Sequence, residues 1–81
     1  MKFKNKKIED KLRVILKKIF KTEKKFYSME KTLNWDSLNH LRLVLELERK
    51  FKIKIKNLEI SKMTDQKKIL QLIIRKSKND R

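Results

Sequence analysis

The sequence predicts an all-α domain of four helices with a long first loop and a short third helix, and three observations carry that expectation. Apolar residues recur at helical spacing in three separate stretches, from Ile8 to Ile19, from Leu38 to Phe51 and from Ile69 to Ile73. The one stretch that alternates like a strand, Lys52-Ile53-Lys54-Ile55-Lys56, has no partner run elsewhere and cannot bury a sheet alone. A length of 81 residues holds a single domain, 1–81, that buries roughly 60–65% of its unfolded surface and has no room for an elaborate internal cavity.

In the first helix Ile8, Leu12, Ile15, Leu16 and Ile19 fall at i, i+4, i+7, i+8 and i+11 with Lys and acidic residues between them, and the pattern ends near Phe20. Lys21 to Asn34 has no sustained period. It carries Phe26, Tyr27, Met29 and Leu33, which predicts a connection folded back over the core, and a short helical turn around Tyr27 to Glu30 is allowed within it. The second helix runs from about Ser37 to Lys50 with Asp36 as its N-cap. Leu38, Leu41 and Leu45, with Val44 beside them, recur at helical spacing to Phe51, and Leu43 and Leu47 widen the apolar surface beyond one stripe. That width predicts a helix buried on several sides, or one that gives part of its surface to a ligand or partner. Ile55 anchors the second loop. Leu58, Ile60 and Met63 form one short helical turn, after which Thr64 caps a final helix that starts at Asp65 and buries Ile69, Leu72 and Ile73. Lys76 to Arg81 is charged, lacks apolar anchors and is expected to fray.

Composition excludes several function classes. The chain has no cysteine, so no disulfide, thiol nucleophile or thiolate metal site is available, and one histidine with scattered carboxylates makes no coordination set. No apolar run approaches the ~18 residues of a membrane span. Met1-Lys2-Phe3-Lys4 lacks the apolar stretch of a secretory signal, so the expectation is a cytoplasmic monomer. A net charge of +15 ordinarily points to nucleic acid or an anionic membrane surface, because clustered cations gain affinity by releasing counterions. Twenty of the 25 basic residues are lysine, and Gly, Pro and Ala are absent, a skew that AT-rich coding produces. The cations are spread through every segment, as on solvated faces, and no helix shows an Arg/Asn reading face with nearby aromatics. A small basic helical nucleic-acid-binding protein is therefore the alternative reading. His40 follows Ser37 within one helical turn, but a Ser–His pair needs an orienting acid and an enclosed oxyanion site. No catalytic residue is assigned, and His40 is expected to face solvent.

Ser37 carries the chemistry. In the first turn of its helix it faces the positive end of the macrodipole, where unpaired backbone N–H groups favour an attached phosphate over a bare hydroxyl. From Asp36 the stretch Asp-Ser-Leu-Asn-His-Leu-Arg-Leu-Val-Leu-Glu-Leu-Glu-Arg-Lys-Phe-Lys-Ile-Lys-Ile resembles the second helix and following loop of acyl carrier proteins. Ile60, Lys62, Met63 and Thr64 resemble their short third helix and the cap of the fourth. With one amphipathic helix and a long loop upstream, the resemblance covers nearly the whole chain.

The resemblance implies 4′-phosphopantetheine on Ser37 as a phosphodiester, flanked by Asp36 and Leu38. It implies a phosphopantetheinyl transferase and acyl- or aminoacyl-loading and transferring enzymes as partners. Leu38, Leu41, Leu45, Ile55 and Ile60 would form an apolar docking surface, and Asn39, Arg42, Glu48 and Arg49 its charge pattern. Arg42, Arg49 and Lys50 depart from the family, which commonly has acids there, so partners with acidic or mixed docking patches are expected. The Trp-Asp-Ser-Leu-Asn-His-Leu wording is similar to stand-alone carriers of specialised pathways. In that setting Trp35 packs the first loop against the bundle, or serves as an aromatic contact for the arm or a partner enzyme. A carrier-like fold that is never modified and acts only as an interaction module is the third reading.

Overall fold

Four helices follow one another along the chain, α1 (Lys2–Phe20), α2 (Ser37–Phe51), α3 (Asn57–Ile60) and α4 (Gln66–Asn79), in a computed structural model that describes residues 2–79. Among the described residues no strand forms; the nearest thing is an isolated antiparallel bridge between Ser28 and Asp65. No helix there is long and apolar enough to cross a membrane.

The helices assemble because each carries one apolar face. α1 contributes Leu12, Ile15, Leu16 and Phe20 to the core, α2 contributes Leu43, Val44 and Leu47, and α4 contributes Ile69, Leu72 and Ile73. α1 packs against both α2 and α4. The connections add Tyr27, Trp35, Ile53, Ile55 and Met63. Each of these buried side chains stabilises the fold by about 1.5–3 kcal/mol over its exposed state. The alternation at Ile53 and Ile55 is thus real, but it anchors an extended connection and pairs with no other strand.

Several local expectations are corrected. Of the four apolar residues expected to fold the first loop over the core, only Tyr27 is buried, while Phe26 and Met29 stay exposed and Leu33 stands 95% exposed. The helical turn expected around Tyr27 to Glu30 falls one residue later, where the Lys31 and Thr32 amides reach the Ser28 carbonyl. Tyr27 cannot join it because both its backbone groups are taken: its N–H donates to Gln66 Oε1 at 3.1 Å, and its carbonyl accepts from the Gln66 N–H at 2.8 Å. The Met29 amide adds a bond to the Thr64 carbonyl, so the first loop is stitched to the start of α4.

That stitch also decides the cap of α4. Asp65, and not Thr64, is the capping residue, its Oδ1 accepting from the Lys68 N–H at 2.8 Å. Leu58 is exposed, so α3 is anchored through partly buried Ile60 and the buried Met63 that follows it. Glu59 closes the first turn of α3 on the Lys56 N–H and reaches Lys76 at 2.9 Å. Those two contacts, the backbone bond first, hold its carboxyl below the usual glutamate range. α4 is helical as far as Asn79, so it extends into the charged stretch that begins at Lys76; Asp80 and Arg81 lie outside the described residues.

A chain without glycine must end its helices some other way. Lys21 after α1 and Lys52 after α2 take positive φ, 54° and 56°, and their amides close on the Lys17 and Glu48 carbonyls. The left-handed conformation costs an L-residue about 1–2 kcal/mol, and glycine escapes most of it. Lys52→Gly is therefore expected to raise unfolding stability by about 0.5–1 kcal/mol, the gain being reduced by the freer unfolded chain. Urea denaturation checks this, and an unchanged or lower midpoint would contradict it.

Candidate functional site

The start of α2 is built by a sequence that separates capping from exposure. Asp36 has extended backbone, its Oδ1 accepts from the Asn39 N–H at 2.9 Å, and its carbonyl accepts the first helical bond from His40 at 2.8 Å. Because Asp36 does the capping, the exposed Ser37 hydroxyl has no part in it. By helix geometry the Ser37 and Leu38 amides have no acceptor within α2, so they point outward at the positive end of a 15-residue helix. An exposed hydroxyl beside two unpaired amides is a fit for a phosphoester.

Behind this turn lies a buried brace. The Trp35 indole N–H donates to His40 Nδ1 at 2.8 Å, and His40 Nε2 meets the Ile60 carbonyl at 2.9 Å. The indole can only donate and the carbonyl can only accept, so the imidazole is the neutral Nε2–H tautomer. Trp35 stacks on Phe20 with centroids 4.6 Å apart. The first loop, α2 and α3 are thereby pinned to one point. His40, expected to face solvent, is 9% exposed. Both of its ring nitrogens are engaged. Trp35 takes the packing role foreseen for it.

The residues expected to form a docking surface divide into two groups. Leu38, Leu41 and Leu45 are 59%, 53% and 66% exposed and lie on the face of α2 turned from the core, although their spacing alone reads equally well as a buried stripe. Arg42 and Arg49 are exposed along the same face. Ile55 belongs to the core and is withdrawn from that surface, and Ile60 packs partly against the core. Asn39 is committed to the loop, its amide donating to the Asn34 carbonyl at 2.8 Å. Glu48 holds the second loop, its Oε2 accepting from the Ile55 N–H at 2.9 Å. Each satisfies a loop backbone group with part of its side chain, which fixes how the rest of that side chain is presented.

Two contributors were not foreseen. Lys18 and Lys21, at the end of α1, line a groove with Ile19, Arg42, Leu45 and Glu46. Glu46 accepts from Arg49 at 2.6 Å and pairs with Lys18 at 3.6 Å, contacts that hold its carboxyl below the usual range, the Arg49 hydrogen bond foremost. The basic last turn of α1 was visible in the sequence, but its approach to α2 was not. Among the described residues no group of three metal-binding side chains comes together.

Breaking the brace should loosen the platform under Ser37. Trp35→Phe leaves a buried imidazole acceptor without its donor and is expected to lower unfolding stability by about 1–3 kcal/mol. His40→Ala is expected to do likewise, and the double variant to lose clearly less than the two losses combined. Additive losses in urea unfolding would sink the direct bond.

No protein-family model matches the chain and no curated protein matches its sequence, so the reading of this site rests on its geometry and chemistry.

Proposed function

We propose that the chain is an acyl or aminoacyl carrier of the acyl-carrier-like four-helix type, with Ser37 as the attachment point for 4′-phosphopantetheine. The observation that supports it best is the pairing of an exposed Ser37 hydroxyl with a cap supplied by Asp36, on a helix start held by the Trp35–His40 brace. In the attachment step Ser37 Oγ bonds to the phosphorus that bears pantetheine in CoA. Its proton passes to the transferase, the pyrophosphate P–O bond breaks, and adenosine 3′,5′-bisphosphate leaves. Once bound, the group supplies a thiol on a flexible arm that holds cargo as a thioester.

The chain's own residues then serve by placement. The Ser37 and Leu38 amides would face a phosphodiester on Ser37, and the helix dipole would favour its charge. Asp36 keeps the first turn closed while partner enzymes handle the arm. Anchoring the cargo to a rigid helix raises its effective concentration at each enzyme that docks. Leu38, Leu41 and Leu45 are the apolar contacts available for that docking, with Arg42 and Arg49 selecting partners whose facing patch is acidic or mixed.

Intact mass measured after incubation with CoA and a broad-specificity phosphopantetheinyl transferase tests the reading. The wild-type chain is expected to gain one phosphopantetheine group and Ser37→Ala to gain none. A gain in both, or in neither across transferases of different specificity, would overturn the assignment.

A further inference from the structure

The outward face of α2 combines three features that the carrier chemistry does not require of one another. Leu38, Leu41 and Leu45 form a row of side chains each more than half exposed. Leu45 stands between two grooves rimmed by cations, one with Lys18, Lys21 and Arg42, the other with Arg49, Lys52 and Lys54. The acids near this face are already engaged: Glu46 is shared by Lys18 and Arg49, and Glu48 serves the Ile55 amide. What remains outward is apolar in the middle and positive at both margins.

We propose that this face of α2 rests on an anionic phospholipid surface, with Leu38, Leu41 and Leu45 entering the headgroup boundary and Lys21, Arg42 and Lys52 meeting lipid phosphates. A helix with a leucine row and a cationic border lies in the plane of an interface, gaining from buried apolar area and from attraction to anionic lipid. The inference goes beyond the carrier reading and does not depend on it; where both hold, lipid and partner enzymes use the same leucines and Arg42 and so occupy this face in turn.

The charge favours a membrane as the occupant over other anions. The excess of +15 is not confined to α2, and an extended anionic plane acts on the whole field, whereas a protein patch acts only on what it touches. Lysine, which outnumbers arginine four to one, suits disordered headgroups: its long stem lies along apolar surface while the ammonium stays in water. Single-stranded nucleic acid would call for several exposed rings on which successive bases stack, but Phe20, Tyr27 and Trp35 are buried and packed on one another, and among the described residues Phe26 is the one exposed ring. The face also carries Ser37 at its end, so a chain docked this way would hold that hydroxyl at the level of the lipid headgroups.

The test uses the full, unmodified chain and sedimentation with vesicles of phosphatidylglycerol and phosphatidylcholine, or of phosphatidylcholine alone. Binding is expected to the mixed vesicles, to weaken steeply as salt rises, and to be absent with phosphatidylcholine alone. Combining Leu38→Gln, Leu41→Gln and Leu45→Gln leaves net charge unchanged and touches only exposed positions; with helicity retained by circular dichroism, it is expected to weaken binding about tenfold or more. Separately, Lys21→Glu with Arg42→Glu is expected to weaken it and flatten the salt dependence. Undiminished binding by the leucine variant would overturn the proposal, since charge alone would then account for adhesion. So would failure to bind the mixed vesicles, including the case in which the chain instead binds a single-stranded RNA homopolymer.

Discussion

The bond between the Trp35 indole and the His40 imidazole is the constraint on which the rest of the arrangement depends. It joins the last buried residue of the first loop to the first buried residue of α2, and the same imidazole extends to the Ile60 carbonyl in α3. Without it the first loop, α2 and α3 would be joined chiefly by apolar packing, and a buried indole N–H and imidazole would be left without partners. With it, the stacking of Trp35 on Phe20 transmits the position of α1 to the start of α2. The exposed turn at Asp36 and Ser37 therefore stands on a buried polar pair inside an aromatic cluster.

A second theme is how few polar groups are left over. Asn39, Gln66 and Glu48 bond backbone groups in loops, and Asn34 bonds the Phe20 carbonyl at the end of α1, all groups without a regular partner. A chain this small with long connections has many such groups, and each needs a bond when burial removes water. The acids are drawn in the same way: Glu46 and Glu59 sit between basic residues or close a helix turn. The surface that remains is strongly cationic, and beside the exposed leucines of α2 the acids Glu46 and Glu48 are already bonded, to Lys18 and Arg49 and to the Ile55 amide.

Much of the fold was legible in the sequence, and the reasons differ by element. The face of α1 could be read because its apolar residues stand among lysines and acids with a single period. Ile69, Leu72 and Ile73 were read for the same reason. α2 was ambiguous because leucines occupy both its faces; only the course of neighbouring elements decides that Leu43, Val44 and Leu47 go inward while Leu38, Leu41 and Leu45 stay out. Thr64 and Asp65 are adjacent residues of capping type, and the choice between them falls to the Met29 amide, which takes the Thr64 carbonyl. At the candidate site Asp36 and Ser37 could be placed from local sequence alone. The burial of His40 could not, since its partners Trp35 and Ile60 come together only in the tertiary structure. Asn39 and Glu48 read as surface charge and polarity for the same reason: sequence does not reveal which backbone groups they will satisfy.

A neutral His40 ring, fixed between Trp35 and Ile60, holds the start of α2. Long-range nitrogen–proton correlation by NMR on the histidine ring tests it most directly. One proton is expected on Nε2, with Nδ1 shifted as a hydrogen-bond acceptor and the Trp35 indole proton protected from exchange with water. A proton on Nδ1, or a ring averaging between tautomers beside a freely exchanging indole, would contradict it.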